Sequence, residues 1–123
     1  MSNTPDDAHP DFPVPGREQL DLARVLKTAA DPARLVVLAR LADGEYHPCN
    51  LTDYRLDMHK STLSHHFKAL REAGFTHTRV TGREHAVRLR RADLDARWPG
   101  LLDAILAAAL RDQPTAGDAP ARG

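Results

Sequence analysis

The stretch Lys60-Ser61-Thr62-Leu63-Ser64-His65-His66-Phe67-Lys68-Ala69-Leu70-Arg71-Glu72-Ala73-Gly74 constrains this chain more than any other. Leu63, Phe67, Leu70 and, less centrally, Ala73 recur at the three-to-four residue spacing that lines one face of an α-helix, and Gly74 follows as a C-terminal stop. At about 100° per residue the opposite side carries Ser61, Thr62, Ser64, His65 and Lys68. One face can therefore be glued to a core while the other presents short hydrogen-bonding groups and a cation. A solvated surface helix has the same pattern, so the neighbouring segments decide between the two readings.

Immediately downstream, Phe75-Thr76-His77-Thr78-Arg79-Val80 and His85-Ala86-Val87-Arg88-Leu89-Arg90 flank Thr81-Gly82-Arg83-Glu84. β-Branched residues in period-two alternation on both sides of a glycine-containing turn predict a β-hairpin. A helix feeding a basic hairpin is the outline of a winged helix-turn-helix, a mainly α fold with one β-hairpin. Charge points the same way. The chain is neutral overall, but from Arg55 to Arg91 nine basic residues stand against three acidic ones, a balance of +6 that leaves −6 for the remainder. Such asymmetry suggests a polyanion-binding face, although a chance cluster on a solvated surface has the same arithmetic.

The order of elements and the residues resemble the ArsR/SmtB family of bacterial transcriptional repressors over about Leu20 to Leu110. Three segments carry the resemblance: Ala30-Asp31-Pro32-Ala33-Arg34-Leu35, the run Ser61 to Gly74, and the Thr81-Gly82-Arg83 wing followed by Val87-Arg88-Leu89. The resemblance implies that the Lys60–Ala73 helix enters the major groove of double-stranded DNA while Gly82 and Arg83 reach the adjacent backbone or minor groove. Lys60, Lys68, Arg79 and Arg83 can neutralise phosphates, and Ser61, Thr62, Ser64 and His65 are short enough to approach base edges. His66 falls on the Leu63–Phe67 side and is expected to pack.

The remaining segments are expected to frame this unit. Residues 1–16, with four prolines and three aspartates, read as a disordered N-terminal arm, residues 17–112 as the DNA-binding and dimerisation domain, and residues 113–123 as a disordered tail. A first helix should run from Arg17 to about Ala29. A second, capped by Asp31 and opened by Pro32, should close at Gly44. Pro48 should open a short positioning helix ending near Tyr54, and a capped turn or short helix from Arg91 should precede a last helix entered at Pro99. The first and last helices carry more apolar surface than so small a subunit can bury. A homodimer through Leu20, Leu22, Val25, Leu101, Leu102, Ile105, Leu106 and Ala109 is therefore expected, as the resemblance implies, with packing inside one subunit as the alternative.

The chain has no apolar run near the roughly 20 residues of a membrane-spanning helix and no signal-peptide order at its start, so a cytoplasmic protein with no membrane role is expected. Its single cysteine, Cys49, agrees with a reducing compartment. Where the resemblance implies a Cys-x-Cys metal motif, this chain has His47-Pro48-Cys49. One thiol per subunit cannot gather three for arsenic(III). His47 and Cys49, with His9 or Asp11 from the arm, could make a mixed site for zinc, nickel or copper. A redox-responsive Cys49 thiolate near a helix N-terminus, or a plain buried cysteine, are the other readings. The family's other metal site, on the last helix, needs histidines that do not occur after His85. Adjacent Ser64, His65 and His66 point about 100° apart on a helix, which argues against catalysis. A winged-helix module for protein contacts is the main rival, and residue types do not separate repressor from activator.

Overall fold

The computed structural model describes residues 12–50, 54 and 56–112. Five helices and a small antiparallel sheet make up this part: α1 Leu22–Ala29, α2 Pro32–Arg40, β1 His47–Pro48, α3 Lys60–Ala73, β2 Thr76–Thr81, β3 Glu84–Leu89, α4 Arg91–Arg97 and α5 Leu101–Asp112. It is a winged helix-turn-helix, mainly helical, as the sequence implies.

Local chemistry sets most boundaries. The Asp21 carboxylate accepts from the Arg24 amide and starts α1, so the expected first helix is divided: Arg17–Gln19 forms a 3-10 turn, and extended Leu20 and Asp21 separate it from α1. Asp31 accepts from the Ala33 and Arg34 amides and Pro32 takes the first helical position of α2, whose end tightens into a 3-10 turn at Leu41–Asp43 before left-handed Gly44. Gly74 ends α3 at φ 99°, a left-handed conformation that strains other L residues, and a Cβ built there would also push the end of the Leu20 side chain aside.

The hairpin pairs Thr76 with Leu89 through Thr81 with Glu84 around a two-residue turn of Gly82 and Arg83. The short helix expected from Pro48 is corrected at its start. His47 and Pro48 pair with Val87 and Ala86 as a third strand, giving the order β1-β3-β2, and the Cys49 amide donates to the His85 carbonyl at 3.1 Å. Proline that can open a helix can equally sit on an edge strand, where no partner needs its missing N–H. Residues 51–53 of that expected helix lie outside the described residues, and Tyr54 is helical and buried.

One core joins all the layers. Leu63, Phe67, Leu70 and Ala73 of α3 are buried with Val37, Leu38 and Leu41 from the second helix and its turn, Val87 and Leu89 from the sheet, and Leu102 and Leu106 from α5. Of the arm, residues 1–11 lie outside the described residues, as does the tail 113–123. Residues 12–16 are not an unattached arm: Gly16 is buried, and the Phe12 ring lies edge-on to His85 at 5.0 Å with the Arg71 guanidinium over its face.

Two basic residues of the charged segment serve this framework. The Arg90 side chain is fully buried, and its guanidinium meets Asp93 Oδ2, while Arg17 Nε donates to Asp93 Oδ1 at 2.7 Å. Burial pulls the Arg90 guanidinium below its ordinary range and Asp93 offsets the pull. Arg91 donates to Asp103 at 2.6 Å, tying α4 to α5. Removing Asp93 leaves a buried cation without its counter-charge, so Asp93→Ala should lower unfolding stability by about 3–5 kcal/mol, read from urea denaturation. A loss under about 1 kcal/mol would show that water reaches Arg90.

Candidate nucleic-acid interface

α3 is held by its apolar face and by one polar contact that the sequence does not reveal. Arg34 of α2 donates from Nε to His66 Nδ1 at 3.1 Å and from Nη1 to the Thr28 carbonyl at 3.4 Å. A guanidinium only donates, so His66 accepts at Nδ1 and carries its proton on Nε2. His66 is buried, as expected of a packing residue, and the contact fixes the roll of α3 against α2.

That roll sends the polar face outward. Lys60, Ser61, Thr62, Ser64, His65 and Lys68 are all exposed on α3, and Arg79 and Arg83 are exposed on the adjoining hairpin. Among the described residues no carboxylate pairs with Lys60, Lys68, Arg79 or Arg83, in contrast to Arg17, Arg24, Arg90 and Arg91. His59 makes no side-chain bond to the first-turn amides of α3, which leaves that positive end open beside Lys60. Cations without acidic partners and hydrogen-bonding groups on the exposed face of a helix are what a phosphate backbone requires.

On the hairpin, Arg79 is not a free-swinging side chain. Its guanidinium carbon lies 3.9 Å from the centre of the Tyr46 ring, and Tyr46 Oη shares a 2.8 Å hydrogen bond with His77 Nε2. Arg34, Tyr46 and Arg88 are the residues of this surface that periodicity could not nominate, because their roles come from contacts between elements far apart in sequence.

The expected dimer residues separate into two groups. Leu20, Val25, Leu102, Leu106 and Ala109 are buried in their own subunit and are corrected from partner-facing to core. On α5, positions 102, 106 and 109 share the inward face, so the subunit's own packing claims them. Leu22 remains 42% exposed, and Leu101 and Ile105 are half-buried. Leu26 at 46% and Leu110 at 51% join them as large exposed apolar side chains.

The family described as "Bacterial regulatory protein, arsR family" matches residues 31–77. Over 84 residues, 68% of this chain and 84% of the relative, the chain is 34% identical to the uncharacterized HTH-type transcriptional regulator YceK of Bacillus subtilis. It is 36% identical over 75 residues to the arsenical resistance operon repressor of Staphylococcus xylosus, covering 61% of this chain and 71% of that repressor. With the biofilm growth-associated repressor of Agrobacterium fabrum the identity is 38% over 81 residues, 64% of this chain and 68% of the relative.

The metal and thiol readings meet different geometry. His47 Nε2 faces the Asp43 carboxylate at 2.9 and 3.0 Å, and among the described residues no three His, Cys, Asp or Glu side chains are grouped to hold a metal ion. These residues by themselves do not fit a zinc, nickel or copper site, and His9 and Asp11 lie outside the described residues. Cys49 is half-buried beside the sheet. Burial pushes its thiol up to about 11, against the weaker pull of Arg71, which favours the plain buried cysteine over the redox-responsive thiolate among the readings the sequence leaves open. Alkylation of the native protein by iodoacetamide should therefore be slow at pH 7 and rise toward pH 11. The raised value also means that the thiol's contribution to stability is lost as pH climbs from about 9 to about 11. Rapid alkylation of Cys49 at pH 7 in the folded protein would refute the assignment.

Proposed function

The chain belongs to the arsR family of bacterial regulatory proteins, and from that premise we propose that two copies, paired through α1 and α5, set their α3 helices into successive major grooves of an inverted-repeat operator. DNA-binding transcriptional regulation is the family's function, and the relatives from Staphylococcus xylosus and Agrobacterium fabrum are named as repressors. We read this chain as a repressor too, working in the cytoplasm and leaving its operator on a signal, with no catalytic step. The observation that carries the reading is the exposure of all eight residues, Lys60, Ser61, Thr62, Ser64, His65, Lys68, Arg79 and Arg83, on two adjoining elements whose cations have no acidic partner among the described residues.

The roles divide by chemistry. Lys60, Lys68, Arg79 and Arg83 neutralise phosphates and supply affinity that falls with salt, while Ser61, Thr62, Ser64 and His65 approach base edges. In a dimer the two reading helices would sit about 34–36 Å apart, one turn of DNA. The self-pairing surface consists of Leu22, Leu26, Leu101, Ile105 and Leu110, the apolar residues that the subunit leaves partly or largely uncovered. No helix of the described residues is long and apolar enough to cross a membrane.

On an operator isolated by selection from genomic fragments, His65→Ala should lose about 1–3 kcal/mol of discrimination against mismatched sites. Arg83→Ala should weaken all duplexes alike and reduce the salt slope by about one. Equal binding by both variants, with unchanged slopes, would remove these roles. The double substitution Leu22→Glu with Ile105→Glu should give a folded monomer in sedimentation that no longer retains the operator. A dimer of unchanged affinity would exclude this interface.

A further inference from the structure

The strand register puts His77, Arg79 and Arg88 on the same face of the hairpin, because His77 pairs with Arg88, Arg79 pairs with Ala86, and side chains alternate along each strand. Val87 and Leu89 are buried on the opposite face. Tyr46, just before β1, lies across this outer face. Its ring stands edge-on to His77 at 5.6 Å, under Arg79 at 3.9 Å and within 5.5 Å of Arg88. Arg88 is tied down as well, its Nε donating to the Gly44 carbonyl at 2.6 Å.

Two guanidiniums are thereby brought to one aromatic ring, separated by at most about 9.4 Å on those distances, and their charges repel. Arg17, Arg24 and Arg91 of this chain pair with carboxylates. Neither Arg79 nor Arg88 has one within 4.0 Å among the described residues, and both are exposed. Stacking on the ring holds the guanidinium of Arg79 in place, while the planar forks retain donors suited to the oxygens of a phosphate. With its Nε committed to Gly44, Arg88 has its terminal nitrogens left to offer.

We propose that Arg79 and Arg88, organised by Tyr46, form a single oxyanion clamp on the outer face of the wing that takes one phosphate group. Tyr46 is a positioning residue in this clamp, and His77 steadies Tyr46 through its hydroxyl. Phosphate reaches such a clamp either as part of the DNA backbone beside the reading helix or as a free phosphate compound. The first source rests on the DNA-binding reading above, and the second does not.

Anisotropy titration of a short mixed-sequence duplex at several salt concentrations, with calorimetric titration of inorganic pyrophosphate in the absence of DNA, distinguishes the sources. For a DNA phosphate, Arg79→Gln and Arg88→Gln should each weaken duplex binding about tenfold and lower the salt slope by about one, and the double variant should lower it by no more than about one, since both hold the same phosphate. For a free anion, pyrophosphate should bind saturably to the wild-type protein and not to either variant, with duplex slopes unchanged. Tyr46→Leu should reproduce the arginine loss with both charges retained, and Tyr46→Phe should keep most of the binding. A double-variant slope loss of about two means two separate phosphate contacts and overturns the clamp. So does the absence of any effect in both titrations, or wild-type behaviour of Tyr46→Leu. Should the His65→Ala variant keep its operator discrimination while pyrophosphate still binds, the groove reading fails and the clamp stands.

Discussion

The structure depends on burying one side of α3. Leu63, Phe67, Leu70 and Ala73 are almost fully withdrawn from solvent, and burying side chains of the Leu and Phe class is worth about 1.5–3 kcal/mol each. That single constraint fixes the helix along its length, but an apolar stripe tolerates some rotation. The Arg34 bond to His66 narrows that freedom, because a directional hydrogen bond at the edge of the stripe favours one roll of α3. Outward display of Ser61, Ser64, His65 and Lys68 is then a consequence of what is buried, not an independent property of the surface. The same logic explains why the Ala30–Leu35 segment belongs to the functional unit although none of it was assigned to DNA. Asp31 starts α2 in the right place, and that start carries Arg34 to His66.

Charge in the Arg55–Arg91 segment is divided between two tasks that sequence arithmetic merges. Arg90 and Arg91 count toward its +6 balance, yet one is buried on Asp93 and the other bridges α4 to Asp103 of α5. Lys60, Lys68, Arg79 and Arg83 are left exposed without acidic partners among the described residues. A cation with a carboxylate already at hand gains less from a phosphate, because the existing pair must first be broken. The polyanion-binding potential of this surface is therefore smaller than the count of basic residues suggests, and more sharply localised.

Much of the fold was legible because it rests on local rules. The period of α3, the caps at Asp31 and Gly74, and the glycine turn of the hairpin each follow from residues a few positions apart. The misread places are those where one residue type serves two structures. Pro48 suits a helix start and an edge strand equally, and only pairing with Ala86, far along the chain, selects the strand. Cys49 near a presumed helix start left a reactive thiolate open beside the plain buried cysteine, and burial beside the sheet raises its thiol, which favours the second. Exposure of the eight proposed DNA residues was legible from α3 periodicity and hairpin alternation. The Tyr46 platform was not, because stacking between a loop residue and a strand leaves no periodic trace.

α5 shows how this ambiguity bears on assembly. Its sequence is apolar on nearly every side, which suggested one broad dimer surface, but the subunit takes positions 102, 106 and 109 for itself. Leu101 and Ile105, one turn apart, remain half-buried beside an apolar depression that they line with Val25, Phe75 and Leu94. The same short helix therefore presents one row to its own core and another toward the proposed partner. A rigid helix cannot move one row without the other, so in such a dimer any shift of the subunit interface would be felt by Leu102 and Leu106, which share the buried core with α3. The distance between the two reading helices would then be coupled to the dimer contact through side-chain packing, with no separate hinge required.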